Sequence, residues 1–148
     1  MKRIYAREEF CLGCRLCEIH CLVRHSKSKK LIKAFRKERG EVVPGVMVES
    51  AGHVTFAMQC RHCDTAPCLE ACITGAMHRD KKTGAVICDA DKCVGCWMCV
   101  MVCPAGAVRR GKDGKEGKAA SKCDLCAGDK TPVCVLNCPN EAIVYEER

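Results

Sequence analysis

Sixteen cysteines of this 148-residue chain fall into four groups of four that follow one pattern. The groups run Cys11-x2-Cys14-x2-Cys17-x3-Cys21, Cys60-x2-Cys63-x4-Cys68-x3-Cys72, Cys93-x2-Cys96-x2-Cys99-x3-Cys103 and Cys123-x2-Cys126-x7-Cys134-x3-Cys138. Each opens with C-x2-C and closes with C-x3-C. Thiols this dense and regular are ligands for something the sulfurs share, because packing alone sets no such spacing. A disulfide framework fits poorly, since seventeen cysteines cannot all pair within one chain. The first residues, Met1 to Glu8, also lack the apolar stretch and cleavage site of a secretory signal. A reducing, cytoplasmic location is therefore expected, where clustered cysteine points to metal.

Composition points the same way. Hydrophobic residues make up 48% of the chain, but that figure includes the seventeen cysteines. The only aromatics are Tyr5, Phe10, Phe35, Phe56, Trp97 and Tyr145. Burial by so thin an apolar set does not offset the ordering entropy of the chain, so the bound metal is expected to hold the fold. No apolar run approaches the roughly 20 residues of a membrane-spanning helix, and no direct membrane span is expected.

The repeat extends past the cysteines. Cys72-Ile-Thr-Gly-Ala-Met, Cys103-Pro-Ala-Gly-Ala-Val and Cys138-Pro-Asn-Glu-Ala-Ile share a turn-forming stretch, then alanine, then an apolar residue that starts a short strand. Cys21-Leu-Val-Arg-His lacks this tail and is the divergent copy. Residues 22–59 form the one long segment without cysteine. Leu31, Ile32 and Phe35 there fall near helical spacing, and Val46 to Phe56 reads as two strands around Ser50-Ala51-Gly52. Asp80-Lys-Lys-Thr-Gly reads as a tight turn between two strands. Arg109 to Lys118, with three glycines, reads as a connecting loop.

C-x2-C-x2-C-x3-C followed by proline is the bacterial iron–sulfur signature, whose fourth cysteine ligates the other cluster of a pair. Group three, ending Cys103-Pro104, matches it in full, and group one matches without the proline. Groups two and four insert loop between ligands. Zinc uses C-x2-C pairs set apart by a longer spacer, a reading that group four taken alone also fits. For groups one and three a tetrahedral ion gains nothing from a third cysteine so close to the second. His20, His25, His53, His62 and His78 are too scattered to complete mixed sites, and His62, between Cys60 and Cys63, is the one expected nearest a cluster. Cys88 and Trp97 read as packing residues.

With these motifs in place the chain resembles the four-cluster ferredoxin-like iron–sulfur subunits of multisubunit oxidoreductases, including those of molybdopterin enzymes and hydrogenases. The likeness rests on Gln59-Cys-Arg-His-Cys-Asp-Thr-Ala-Pro-Cys, Asp91-Lys-Cys-Val-Gly-Cys-Trp-Met-Cys, Lys122-Cys-Asp-Leu-Cys and Cys138-Pro. Residues 21–30 further resemble the iron–sulfur subunit associated with carbon monoxide dehydrogenase and its relatives beside tungsten aldehyde oxidoreductases. The resemblance implies four 4Fe-4S clusters. Cys11, Cys14 and Cys17 would share one with Cys138, and Cys123, Cys126 and Cys134 another with Cys21. Cys60, Cys63 and Cys68 would share a third with Cys103, and Cys93, Cys96 and Cys99 the fourth with Cys72. It implies an α+β fold of two bacterial-ferredoxin-like dicluster modules related by a pseudo-twofold axis, in a single compact unit. Module one would comprise 1–30 and 119–148 and module two 57–110, with a hairpin insertion at 31–56 and a linker loop at 109–118. The missing prolines after Cys21 and Cys72 leave the turn geometry there open.

The function that follows is electron transfer without substrate chemistry, as one subunit in anaerobic metabolism. Four protein ligands per cluster leave no iron open, and no catalytic residues are identified: the chain has no G-x-G-x-x-G, P-loop or acid–base pair. The expected partners are a catalytic redox subunit (carbon monoxide dehydrogenase, a tungsten or molybdenum aldehyde or formate enzyme, or a hydrogenase) and a flavin-containing NAD(P)H oxidoreductase. Self-association is left open. The alternative is a zinc-binding nucleic-acid or scaffold module using the net charge of +7. Nucleic acid is not expected as a partner, because the basic stretches are almost free of aromatics for stacking. Four clusters with their thiolates carry about eight negative charges, which the basic excess offsets. The basic stretch from Arg24 to Arg39 either serves that purpose or offers an electron exit beside the Cys11/Cys14/Cys17 cluster.

Overall fold

A computed structural model describes residues 1–38, 40–112 and 117–147. Arg39 of the basic stretch, residues 113–116 of the expected linker and Arg148 lie outside the described residues. Eight short strands pair in four antiparallel ladders: β1 (Arg3–Ala6) with β8 (Ile143–Glu146), β2 (Val46–Ala51) with β3 (Val54–Gln59), β4 (Met77–Arg79) with β5 (Val86–Cys88), and β6 (Arg109–Arg110) with β7 (Ala120–Ser121). The helices are α1 (Leu16–His25), α2 (Leu31–Lys37), α3 (Pro67–Glu70), α4 (Met98–Met101) and α5 (Val133–Leu136). Among the described residues no helix is long and apolar enough to cross a membrane.

The cysteine spacing explains this layout. In every group the third cysteine, Cys17, Cys68, Cys99 or Cys134, is the second residue of a helix and is buried. The x3 gap then sets the fourth cysteine four residues, about one turn, further on: inside α1 for Cys21, and just past the end of the short helix for Cys72, Cys103 and Cys138. Only α1 continues beyond that turn, which is where group one lacks the repeated tail. A strand leads into each group: β1 before Cys11, β3 before Cys60, β5 before Cys93 and β7 before Cys123. In the other three groups the tail turns directly into a strand, β4, β6 or β8.

The tails share one conformation. The third residue after the fourth cysteine is left-handed in each: Gly75 (φ 66°), Gly106 (φ 57°) and Glu141 (φ 50°). Its N–H donates to the cysteine carbonyl at 3.2, 3.2 and 3.3 Å respectively. Glu141 holds with a side chain the conformation that glycine holds in the two sister copies, at a cost of about 1 kcal/mol. Glu141→Gly is therefore expected to raise the thermal midpoint of the metal-loaded protein by a few degrees, as differential scanning calorimetry would read.

The turn at Asp80 forms through its own side chain. Asp80 Oδ2 accepts the Thr83 N–H at 2.9 Å, and the Gly84 N–H donates to the Asp80 carbonyl at 2.8 Å. The segment expected as a hairpin is longer than its strand pattern, since β3 runs on to Gln59 and delivers the chain to Cys60. That hairpin packs over the first cysteine loop, where Thr55 Oγ1 donates to the Cys11 carbonyl at 2.6 Å. Arg109 and Arg110, expected within a connecting loop, instead form β6. Their backbone groups find partners in Ala120 and Ser121, which explains the order at that end of the loop.

Burial forms two small clusters. One gathers Ile4, Val46, Val48, Leu125 and Ile143 around Cys17, Cys21 and Cys134, and the other gathers Met77, Val86 and Val108 around Cys68 and Cys99. The six largest fully enclosed side chains are Ile4, His62, Val46, Val86, Val108 and Pro132, none of them phenylalanine, tryptophan or leucine. Both clusters are built around the thiols themselves.

Candidate metal centres

Each opening C-x2-C carries a left-handed residue just before its second cysteine: Gly13 (φ 67°), His62 (φ 45°), Gly95 (φ 68°) and Leu125 (φ 58°). The two tight C-x2-C-x2-C loops add a second, Arg15 (φ 60°) and Trp97 (φ 63°), immediately ahead of α1 and α4. Alternation of this kind turns successive N–H groups to one side, making a concavity that suits an anion. Glycine meets the requirement at 13 and 95 without strain. His62, Leu125, Arg15 and Trp97 do not, and residues held this way cluster at ligand sites.

The structure brings together cysteines far apart in sequence. Cys11, Cys14, Cys17 and Cys138 line one cavity, Cys60, Cys63, Cys68 and Cys103 a second, and Cys72, Cys93, Cys96 and Cys99 a third. In the remaining set Gly45 lies between Cys21 and Cys123, its N–H donating to Cys21 Sγ and a Cβ on it meeting the Cys123 Cβ at 3.3 Å. Four cysteines on one tetrahedral zinc at Zn–S distances near 2.3 Å would hold their sulfurs about 3.8 Å apart. Among the described residues only His25, Asp124 and Cys126 bring three ligand atoms within 4.8 Å of one another. That trio shares Cys126 with the fourth set and belongs to the same site. Thiols surrounding a cavity but spread wider than one ion allows fit a multi-iron cluster.

Backbone donors already point at the sulfurs. N–H groups of Met77 and Ala142 lie 3.3 and 3.2 Å from Sγ of Cys72 and Cys138, five and four residues along their respective tails. Gly45, far away in sequence, supplies the equivalent donor to Cys21 Sγ at 3.2 Å. A side chain there would meet the Cys123 backbone at 2.8 Å, so the close approach needs glycine. His62 and Leu125 N–H groups approach Cys60 and Cys123 Sγ at 3.4 Å. Such bonds favour the thiolate, whereas burial opposes it, pushing Cys17 and Cys134 up to about 12 and Cys99 to about 11. Iron must displace those protons on binding.

Several contributors carry no local sequence signal. His25 Nδ1 sits 2.8 Å from the Cys21 carbonyl while Nε2 pairs with Asp124 at 3.1 Å. Its bonds to Asp124 and then to the Cys21 thiol raise the imidazole to about 11. The neighbouring Arg24 pairs with Asp129 at 2.7 Å. The start of the basic stretch is thus fastened to group four and lies away from the Cys11/Cys14/Cys17 loop, beside which one of its two readings placed an electron exit. The reason is the direction of α1, which begins at that loop and carries the chain roughly 15 Å away by its end. Cys88, expected as space-filling, lines the cavity of Cys72, Cys93, Cys96 and Cys99. Trp97 carries Arg110 over its ring, 5.3 Å from the centroid.

Comparison with known proteins agrees with this geometry. The 4Fe-4S dicluster domain family matches residues 51–148. An iron–sulfur protein of Rhodospirillum rubrum is 38% identical, covering 95% of this chain and 79% of its own length. The electron transport protein HydN of Escherichia coli is 33% identical, covering 98% of this chain and 87% of its own. The chain corresponds to only 21% of the length of a third relative, the putative oxidoreductase AegA of E. coli, at 35% identity over 95% of this chain. Among solved structures, a chain of the active site complex BamBC of benzoyl coenzyme A reductase matches with a TM-score of 0.51 and 22% identity. That match covers all of this chain and 78% of the other, and concerns the fold.

Proposed function

The chain belongs to the 4Fe-4S dicluster domain family of iron–sulfur electron-transport proteins, and from that premise we propose that it is a four-cluster relay between a catalytic redox subunit and a second redox protein. The sixteen cysteines are the ligands, shared crosswise between groups one and four and between groups two and three. Two dicluster halves related by a pseudo-twofold axis result, with β1–β8 closing one and β4–β5 the other. When bound, the clusters would supply one-electron chemistry, and the chain would set their spacing, shield them from water and direct N–H groups at the cysteine sulfurs.

The observation that carries this reading is the convergence of cysteines from two groups on each of three cavities. Full protein ligation supports a carrier without substrate chemistry of its own. Exposure orders the path. Of the sixteen ligands only Cys14 and Cys96 are exposed. Phe10, Leu12 and Leu16 stand exposed beside the first, and Val94, Met98 and Met101 beside the second. These two ends would meet partners, with the Cys123/Cys126/Cys134/Cys21 and Cys60/Cys63/Cys68/Cys103 clusters as the inner steps. A carbon monoxide dehydrogenase, a tungsten or molybdenum aldehyde or formate enzyme, or a hydrogenase fits as the catalytic subunit, and a flavin NAD(P)H oxidoreductase as the other partner. The place of such a segment within the longer AegA supports an oxidoreductase context.

Anaerobic titration with dithionite is expected to load about four electrons per chain, one per cluster, and the reduced protein should return them to cytochrome c. The isolated chain should turn over neither carbon monoxide, formate, aldehyde nor hydrogen. Uptake of only two electrons, or substrate turnover by the chain alone, would overturn the reading.

A further inference from the structure

Lys122 stands immediately before Cys123, yet its side chain leaves that loop and its Nζ donates to the carbonyl oxygen of Val86 in β5. Val86 lines the Cys60/Cys63/Cys68/Cys103 cavity, and its N–H donates to Nδ1 of His62 at 3.1 Å. His62 lines the same cavity and is 1% exposed. Because Nδ1 accepts, the ring proton sits on Nε2, a buried atom with no partner among the described residues.

Several cations near the cysteine sites are matched by carboxylates: Arg24 by Asp129, His25 by Asp124, Arg15 by Glu18 and Lys92 by Asp89. Among the described residues no carboxylate pairs with Lys122. It is an uncompensated positive charge rooted in the loop of one inner cluster and anchored on the wall of the other.

We propose that Lys122 is a positioning residue at the junction of the two halves, its anchored ammonium stabilising the negative charge that arrives when the Cys60/Cys63/Cys68/Cys103 cluster is reduced. The inference rests on the four-cluster reading above. In the step concerned one electron passes from the neighbouring cluster, which is oxidised, to this one, which is reduced. No bond forms or breaks and no proton moves. A fixed charge in a partly buried site is screened far less than one at the surface, so its effect falls on equilibrium and is legible as a potential.

The test is a redox titration of the anaerobically reconstituted full chain, followed by paramagnetic resonance, comparing wild type with Lys122→Gln and Lys122→Arg. Glutamine keeps a donor for the Val86 carbonyl and removes the charge, while arginine keeps both. The component belonging to this cluster is identified by its alteration in Cys60→Ser. Lys122→Gln should retain full iron and make that one cluster about tenfold harder to reduce at a given potential, a fall of about 59 mV for a one-electron couple. Lys122→Arg should titrate as wild type. If Lys122→Gln keeps the wild-type potential, or fails to hold its iron, the lysine is a structural strut and the proposal is overturned. A wild-type chain that shows fewer than four reducible clusters would instead defeat the four-cluster reading, before any variant is compared.

Discussion

Anaerobically purified protein is expected to carry about 16 iron and 16 acid-labile sulfide per chain with zinc near zero, and stripping that iron is expected to abolish its cooperative thermal transition. The expectation follows from what the two cores are made of. Cys17, Cys21 and Cys134 sit inside one and Cys68 and Cys99 inside the other, so the cavities they line are also the centres of packing. Without iron those cavities lose their contents, and the strained residues His62, Leu125, Arg15 and Trp97 lose the reason for their left-handed backbones. The strands that remain are two to six residues long and pair only two at a time, too little to stand alone. Where ligands must assemble on folding, binding energy is folding energy. Calorimetry and circular dichroism before and after chelation under reducing conditions read the effect. A cooperative transition surviving in iron-free protein would show that apolar packing suffices, and about eight iron with stoichiometric zinc would remove half of the proposed relay.

Cys138→Ser is expected to damage the cluster held by Cys11, Cys14 and Cys17 and to spare the one held by Cys123, Cys126 and Cys134. Cys138 lies one helical turn beyond Cys134 in the chain, yet it lines the cavity of group one. Its sulfur accepts the Ala142 N–H at 3.2 Å, which fixes it on that side. Asn140 reaches across to the same loop, donating to the Phe10 carbonyl at 2.6 Å. The outcome is one altered or missing component of the paramagnetic resonance spectrum, with a loss of up to four iron per chain and the group-four signal unchanged. Damage confined to the group-four signal would mean local ligation by Cys123, Cys126, Cys134 and Cys138, and would undo the crosswise scheme. Cys72→Ser gives the companion result in the other half, acting on the cluster of Cys93, Cys96 and Cys99.

Part of the site is local, and of that the turn-then-strand tails and the Asp80 turn were legible in the residues. The x3 gap is a helical turn, the C-x2-C gap is a loop needing a left-handed residue that Gly13 and Gly95 supply, and the Cys-x-x-Gly-Ala tail is a turn feeding a strand. Each of these is decided within about six residues by sterics and short-range hydrogen bonds. The Asp80 turn is of the same kind. Spacing alone did not say which distant cysteine completes each cavity, and for that the sequence relied on its likeness to four-cluster subunits.

Only the tertiary structure decided the long-range partners. The Cys11 carbonyl is held by Thr55 from the hairpin, Cys21 Sγ takes its N–H from Gly45, and His25 finds Asp124 across 99 positions. Lys122, one residue from a ligand of one cluster, serves the wall of another through Val86. The basic stretch shows the same limit. Its charge was plain in the sequence, but the cluster it approaches was set by the direction and length of α1. Sequence fixes conformation where neighbours along the chain determine it, while contacts between elements depend on how whole strands and helices pack around the four sets of sulfurs.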